Sequence, residues 1–187
     1  MLYRVFPWIP GNRPAEDGGP LFVPRAYQRR GRHDNPEAYG ALYATRSRRS
    51  AIAERLSLLR DREITAEHLS RIDGRPYAMA SIDDSGLELR IDLDDPGEFS
   101  ARELRPSHVA TRERSATRDI AMAIFDEGHA GFAWWSTIEA SWSNVTLFAE
   151  RAAAKLSIAG EPEPLRIDDP MLRGVAELIG VWIAGAG

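Results

Sequence analysis

Five prolines, Pro7, Pro10, Pro14, Pro20 and Pro24, follow directly on the strand-like run LYRVF at 2–6. A proline has no N–H to give to a ladder and clashes inside a helix, so residues 7–24 must be loop. Regular structure resumes with YGALYA at 39–44, which reads as a second short strand. From Thr45 or Ser47 as N-cap a helix is predicted to about Arg60, with Ala51, Ile52, Leu56 and Leu59 on one stripe. Positions 65–72 suggest a brief helix, and PYAMASI and LELRIDL flank DDSG as a hairpin. The run at 112–127 is predicted to be a helix that stops at Gly128, followed by the buried strand AGFAWW at 130–135. NVTLFAERAAAKLSI reads as either an extended piece or a helix. Asp168 and Asp169 before Pro170 then open a last helix, with Met171, Leu172, Val175, Ile179 and Trp182 at helical spacing. Strands and helices that come separately rather than in βαβ units argue for an α+β fold.

At 187 residues with 43% hydrophobic content, the chain is long enough to bury one core and short for two, so residues 1–187 are expected to form a single domain. No apolar run reaches the roughly 18 residues of a membrane span, and MLYRVFPWIPGNRP lacks the pattern of a secretory signal. Zero cysteines exclude disulfides and thiolate metal sites. A cytoplasmic location is the expectation. The net charge of −4 hides a gradient: residues 25–62 hold ten Arg against four acids, whereas 63–103 hold eleven acids against four Arg. Only Lys155 among the 24 basic residues is lysine. Arg suits fork-like contacts with phosphate, so the basic third could face a phosphorylated small molecule or nucleic acid. The plainer account of Arg46, Arg48, Arg49, Arg55, Arg60 and Arg62 is a solvated helix face.

Several chemistries find no support. His33, His68, His108 and His129 are scattered, with no HExxH, so no metal site is expected. Ser136 follows a strand, but no G-x-S-x-G elbow surrounds it, and no glycine-rich phosphate loop occurs.

What remains is an arginine before a turn, a tyrosine at a strand end, a glutamate in the next helix and a serine at a later strand end. In order and spacing, GRHDNPEAYGALYATRSRRSAIAERL at 31–56 and AGFAWWSTIEASWSNVTLFAER at 130–151 resemble the RES domain family, named for its Arg, Glu and Ser. With LYRVF included, the resemblance spans most of residues 1–151. It implies a fold like that of ADP-ribosyltransferases and an enzyme that consumes NAD as substrate, splitting the nicotinamide–ribose bond by hydrolysis or phosphorolysis. It also implies a bacterial toxin neutralised by an Xre-type antitoxin. Transfer of ADP-ribose to a protein acceptor is the alternative within the family.

The resemblance assigns catalytic roles to Arg32, Tyr43, Glu54 and Ser136, and NAD-binding roles to Arg4, His33 and Asn144. Losing nicotinamide leaves an oxocarbenium-like ribose, which a carboxylate such as Glu54 can stabilise or hold by its hydroxyls. Glu54 has no basic partner at i±4, so an ordinary surface pairing explains it poorly, while Arg55 at i+1 points elsewhere. Arg32, with Arg4 as a second arginine, would take the pyrophosphate. Tyr43 would stack on the nicotinamide, although a strand aromatic is commonly core. Ser136 would hydrogen-bond the ribose or carboxamide with Asn144 in support, or else both cap the loop. The sequence departs from the family where His33 replaces the usual aromatic after Arg32, where Ala130-Gly131 replaces Asp-Gly, and where Thr137 replaces an Arg after Ser136. Two other readings compete: an RES-like binding module without turnover, and a nucleic-acid binder using PRAYQRRGR at 24–32. The second is set aside because the rest of the chain is acidic and no recognised motif is present. A homo-oligomer is compatible with the sequence.

Overall fold

The computed structural model describes residues 1–60 and 62–184. Strand β1 (Leu2–Pro7) is followed, after the proline-rich loop, by β2 (Ala41–Thr45) and helix α1 (Arg48–Leu56). Next come β3 (Glu63–Ile64), β4 (Tyr77–Asp83), β5 (Ile91–Asp92) and the helices α2 (Pro96–Ala101), α3 (Pro106–Val109) and α4 (Arg114–Asp126). The chain continues through β6 (Gly131–Trp135), β7 (Ser143–Phe148), α5 (Ala149–Ala152), β8 (Ser157–Ile158), β9 (Glu163–Pro164), α6 (Pro170–Leu178) and β10 (Trp182–Ile183). The main sheet runs β5-β6-β7-β2-β1-β4-β8, with β9 also paired to β4. Its neighbours are antiparallel except β5 and β6, and a separate parallel pair joins β3 to β10. The architecture is α+β.

The N-terminal signals hold locally. Ser47 caps α1 by accepting the Ser50 N–H at 3.5 Å, and Asp169 caps α6 through the Met171 N–H at 2.7 Å, with Pro170 at the first helical position. Gly128, at φ +92°, ends α4 in the left-handed region where a side chain would be strained. The ambiguous 144–158 stretch is both things in turn, strand β7 and then the short helix α5.

Two expectations are overturned. LELRIDL does not return alongside β4 as a hairpin. Both edges of β4 are occupied, by β1 on one side and by β8 and β9 on the other, and Ile91–Asp92 pairs in parallel with β6 at the far end of the sheet. Trp182 does not continue the last helix, which ends at Leu178; after Gly180 at φ +71° the chain extends into β10, leaving Trp182 exposed.

Three apolar clusters flank the sheet. Leu2, Phe6, Leu42, Val145 and Leu147 fill one face. On the other face Ile52 and Leu56 of α1 meet Met79, Leu172 and Val175, while Ile124 of α4 packs with Phe132, Phe148 and Tyr39. Each such buried side chain contributes about 1.5–3 kcal/mol. The feature that places the site is a split. Strand β1 pairs with β4 along its length, from Leu2 opposite Ile82 to Pro7 opposite Tyr77, but meets β2 only where Tyr3 faces Thr45. The sheet therefore opens between β1 and β2, and α1 lies across the opening.

Candidate active site

The opening forms a cleft of about 880 Å³, within the range of small-molecule sites. Its walls include Tyr3 and Val5 of β1, Tyr43 and Thr45 of β2, and Glu54 near the end of α1. A smaller cavity of about 460 Å³ is bordered by Phe22, Arg71 and Arg75, and its carboxylate, Asp17, is paired with Arg75.

Glu54 is held from two strands. Its Oε1 accepts Asn144 Nδ2–H at 2.7 Å, from β7, and Ser136 Oγ–H at 3.1 Å, just past β6. Both donors are fixed in turn: Asn144 Oδ1 accepts Ser50 Oγ–H at 3.1 Å, and Ser136 Oγ accepts the Ile138 N–H at 3.1 Å. Ser136 and Asn144 are buried at 1% and 2% exposure, whereas Glu54 is half-buried. Glu54 Oε2 accepts from no donor among the described residues. A carboxylate with one oxygen clamped and the other turned loose at a cleft is built to meet charge or a hydroxyl.

Tyr43 and His33 belong to a second cluster behind the cleft wall. Tyr43 donates its hydroxyl to Asp34 Oδ1 at 2.8 Å and accepts the His33 N–H at 2.9 Å. The turn closes because position 31 is glycine: a Cβ there would lie 2.3 Å from Asp34 Oδ1 and 2.5 Å from the Tyr43 hydroxyl. Burial, followed by the Asp34 carboxylate, pushes the Tyr43 phenol well above its ordinary range. Only the Tyr43 ring remains for the cleft. His33 is 1% exposed, its Nδ1 2.8 Å from Thr146 Oγ1 and its ring edge-on to Phe132 and Trp134. Burial, followed by the charges of Arg32 and Arg114, holds it well below its ordinary range, so it is a neutral core residue rather than part of the cleft lining.

Arg32 lies at the cleft with Cζ 5.3 Å from the Trp134 ring centroid, and its Nη1 donates to the carbonyls of Val109 and Thr111 at 3.0 and 2.7 Å. Burial and the repulsion of Arg114 lower its pKa, and Glu54 partly restores it. Arg4 borders the cleft, but its Nη1 and Nη2 donate to the Pro20 and Phe22 carbonyls at 2.7 and 3.0 Å. It anchors the proline-rich loop, and burial pushes its pKa down to about 10. The structure thus brings Glu54, Ser136 and Asn144 into contact, places Arg32 and the Tyr43 ring on the same cleft, ties Arg4 to a loop and encloses His33.

Further arginines reach the cleft: Arg30, Arg55, Arg60, Arg112 and Arg114. Arg55 does not point away from Glu54's cavity. Adjacent helical residues diverge by about 100°, but the cleft wraps the end of α1 and meets both. The signal missed at 112–114 is legible in retrospect. A helix start favours acids, and Glu113 stands at the N-cap of α4, but its first turn holds none and opens with Arg114, which reaches the cleft.

Residues 2–168 match the sequence pattern described as the RES domain. No curated protein sequence matches the chain. In three dimensions it is similar to the MbcT toxin in the crystal structure of the M. tuberculosis MbcT–MbcA toxin–antitoxin complex, with a TM-score of 0.63 and 19% identity over 96% of this chain and 88% of that one. At that identity the likeness concerns the fold.

Proposed function

Since the chain belongs to the RES domain family, we propose that it is an NAD-consuming enzyme that breaks the nicotinamide–ribose bond, and that it is the toxin of a toxin–antitoxin pair acting in the cytoplasm. The observation that carries the chemistry is Glu54, which lines an arginine-rich cleft with one oxygen clamped by Ser136 and Asn144 and the other without a donor among the described residues. The choice of NAD follows from the family.

In this reading the pyrophosphate lies against Arg32 and its neighbours, whose guanidinium N–H groups suit phosphoryl oxygens. The ribose next to nicotinamide then sits over Glu54. As the C1–N bond breaks, its electron pair leaves with the ring and neutralises the pyridinium, while positive charge spreads over C1 and the ring oxygen. The free Glu54 oxygen stabilises that charge or holds a ribose hydroxyl, and a carboxylate fixed beforehand does so without reorganising. Ser136 and Asn144 are positioning residues that keep it there. The Tyr43 ring would flank the leaving base. A nucleophile then bonds to C1; if it is water, its proton passes to solvent. An antitoxin of the Xre type is the proposed partner. It is supported by the fold's likeness to a toxin solved with its antitoxin.

The test is nicotinamide release from NAD by the purified chain, with and without phosphate, beside Glu54→Gln. Release abolished by the substitution at unchanged melting temperature is expected. Equal release by the variant sinks the assignment. Dependence on phosphate would mark phosphorolysis, and release in either buffer hydrolysis.

A further inference from the structure

Arg55 follows Glu54 on α1 but serves the other side of the split. Glu54 turns to Asn144 on β7, whereas Arg55 lays its guanidinium on Tyr77 at the start of β4, with Cζ 3.7 Å from the ring centroid. Tyr77 stands opposite Pro7 in the β1–β4 ladder, so Arg55 marks the β1 side of the cleft. Among the described residues Arg55 has neither an ion pair nor a hydrogen-bonded acceptor, and its Nε is buried without a partner. Arginines elsewhere in the molecule are treated differently: Arg48 meets Glu163, Arg75 meets Asp17, and Arg102 meets Glu98 and Glu127.

Leaving a buried donor unpaired is unfavourable, and more so when it is charged. A cation kept this way at a cleft is completed by an anion from outside. Arg114 Nη1 is the other buried, unpartnered nitrogen in the cleft lining, and Arg114 stands beside Arg32. The two arrangements are separate. Arg32 stacks on Trp134 of β6 and donates to the Val109 and Thr111 carbonyls, whereas Arg55 stacks on Tyr77 at the start of β4. We propose that Arg55, held flat on Tyr77, is a second phosphoryl-binding point of the cleft, distinct from the one at Arg32 and Arg114. Stacking leaves the guanidinium edge to meet phosphoryl oxygens, as a planar fork does and an ammonium does not. The phosphoryl group could belong to the dinucleotide or be free phosphate. The proposal rests on the NAD reading only for the choice of nucleotide probe.

The experiment is calorimetric titration of the full chain, parent and Arg55→Gln, with ADP-ribose, inorganic phosphate and nicotinamide riboside, which has no phosphate. Arg55→Lys is carried alongside as a variant that keeps the charge and supports folding should the glutamine variant melt early. A charged hydrogen bond of about 1.5–3 kcal/mol predicts ADP-ribose binding about 10- to 150-fold weaker in Arg55→Gln, weakened less in Arg55→Lys, with nicotinamide riboside unchanged. Loss of phosphate binding with ADP-ribose unchanged supports the same point and assigns it to free phosphate. Unchanged binding of both phosphoryl probes overturns the proposal, as does an equal loss of nicotinamide riboside, which would make Arg55 a shaper of the cleft. A parent that binds phosphate but not ADP-ribose refutes the NAD reading and leaves the Arg55 point standing if Arg55→Gln loses that phosphate. A parent that binds neither phosphoryl probe overturns both.

Discussion

Asn144 and Thr146 stand two residues apart on the same face of β7, and they serve clusters of opposite character. Asn144 holds Glu54, which lines the cleft and whose second oxygen has no donor among the described residues. Thr146 accepts the Trp134 indole N–H at 3.1 Å and bonds the His33 ring, in a cluster where Tyr43, Asp34 and Gly31 close on one another and Tyr39 donates to the His33 carbonyl at 2.9 Å. In the second cluster the polar groups satisfy one another and fix a turn. In the first they converge on an oxygen and leave its partner available. Strands with alternating faces make this economical, because a single ladder fixes both clusters and thereby sets the distance between scaffold and chemistry.

The sharpest way to break the comparison is to alter one residue of each cluster. Glu54→Gln keeps the size of the side chain and removes the charge; turnover of NAD is expected to fall about 10²–10³-fold, as for loss of one preorganised electrostatic contact, with melting nearly unchanged. Tyr43→Phe should show the reverse balance. It leaves the His33 N–H and Asp34 Oδ1 without their partner, so stability should drop by about 1–3 kcal/mol in urea unfolding, with a far smaller loss of turnover in the fraction that remains folded. If Tyr43→Phe abolishes turnover at parental stability, the hydroxyl acts on the substrate and the division fails. A smaller effect is expected from Ser136→Ala. One of two donors on Glu54 Oε1 disappears while Asn144 remains, so turnover should fall roughly tenfold at constant KM, corresponding to about 1.4 kcal/mol. A rise in KM alone would instead place Ser136 on the substrate.

These residues were unequally legible in the sequence. Caps, the proline-rich loop and the α4 stop depend on neighbours in the chain, and Ser47, Asp169 and Gly128 act where local chemistry says they should. The hairpin failed because strand pairing is decided by distant competitors: β8 and β9, some 75 residues on, occupy the edge of β4 that LELRIDL would need. The split between β1 and β2, which creates the cleft, leaves no local mark at all. The residues of the candidate site were reached through family order rather than periodicity, and that order could not tell a clamped carboxylate from an enclosed histidine. Family order places His33 near the substrate; its burial follows from Thr146, Phe132 and Trp134, which lie about 100 residues away. Helical geometry alone turns Arg55 away from Glu54, but the cleft bends around the helix end and meets both.

His33 also gives the finest test of the closed cluster, through pH. Unfolded, it takes up a proton near its ordinary value of 6.5; folded, burial among Phe132 and Trp134 and the nearby charges of Arg32 and Arg114 keep it neutral to well below that. Between the two values the unfolded chain binds more protons, so the contribution is fully present above about pH 6.5 and declines as the pH falls, by at most about 1.36 kcal/mol per unit. The groups that face the ring are Thr146, Trp134, Phe132 and Tyr43, with the charges of Arg32 and Arg114 acting on it; Asp34 is linked to it through the Tyr43 hydroxyl. Carboxylates held low by ion pairs, such as Glu127 beside Arg102 and Glu163 beside Arg48, titrate below this window and fall out of the difference between parent and His33→Gln. The parent should therefore lose stability between pH 6.5 and 5.5 by up to about 1 kcal/mol more than His33→Gln. Parallel curves would mean that the imidazole can take its proton in place, and the cluster behind the cleft would then be as open as the one that holds Glu54.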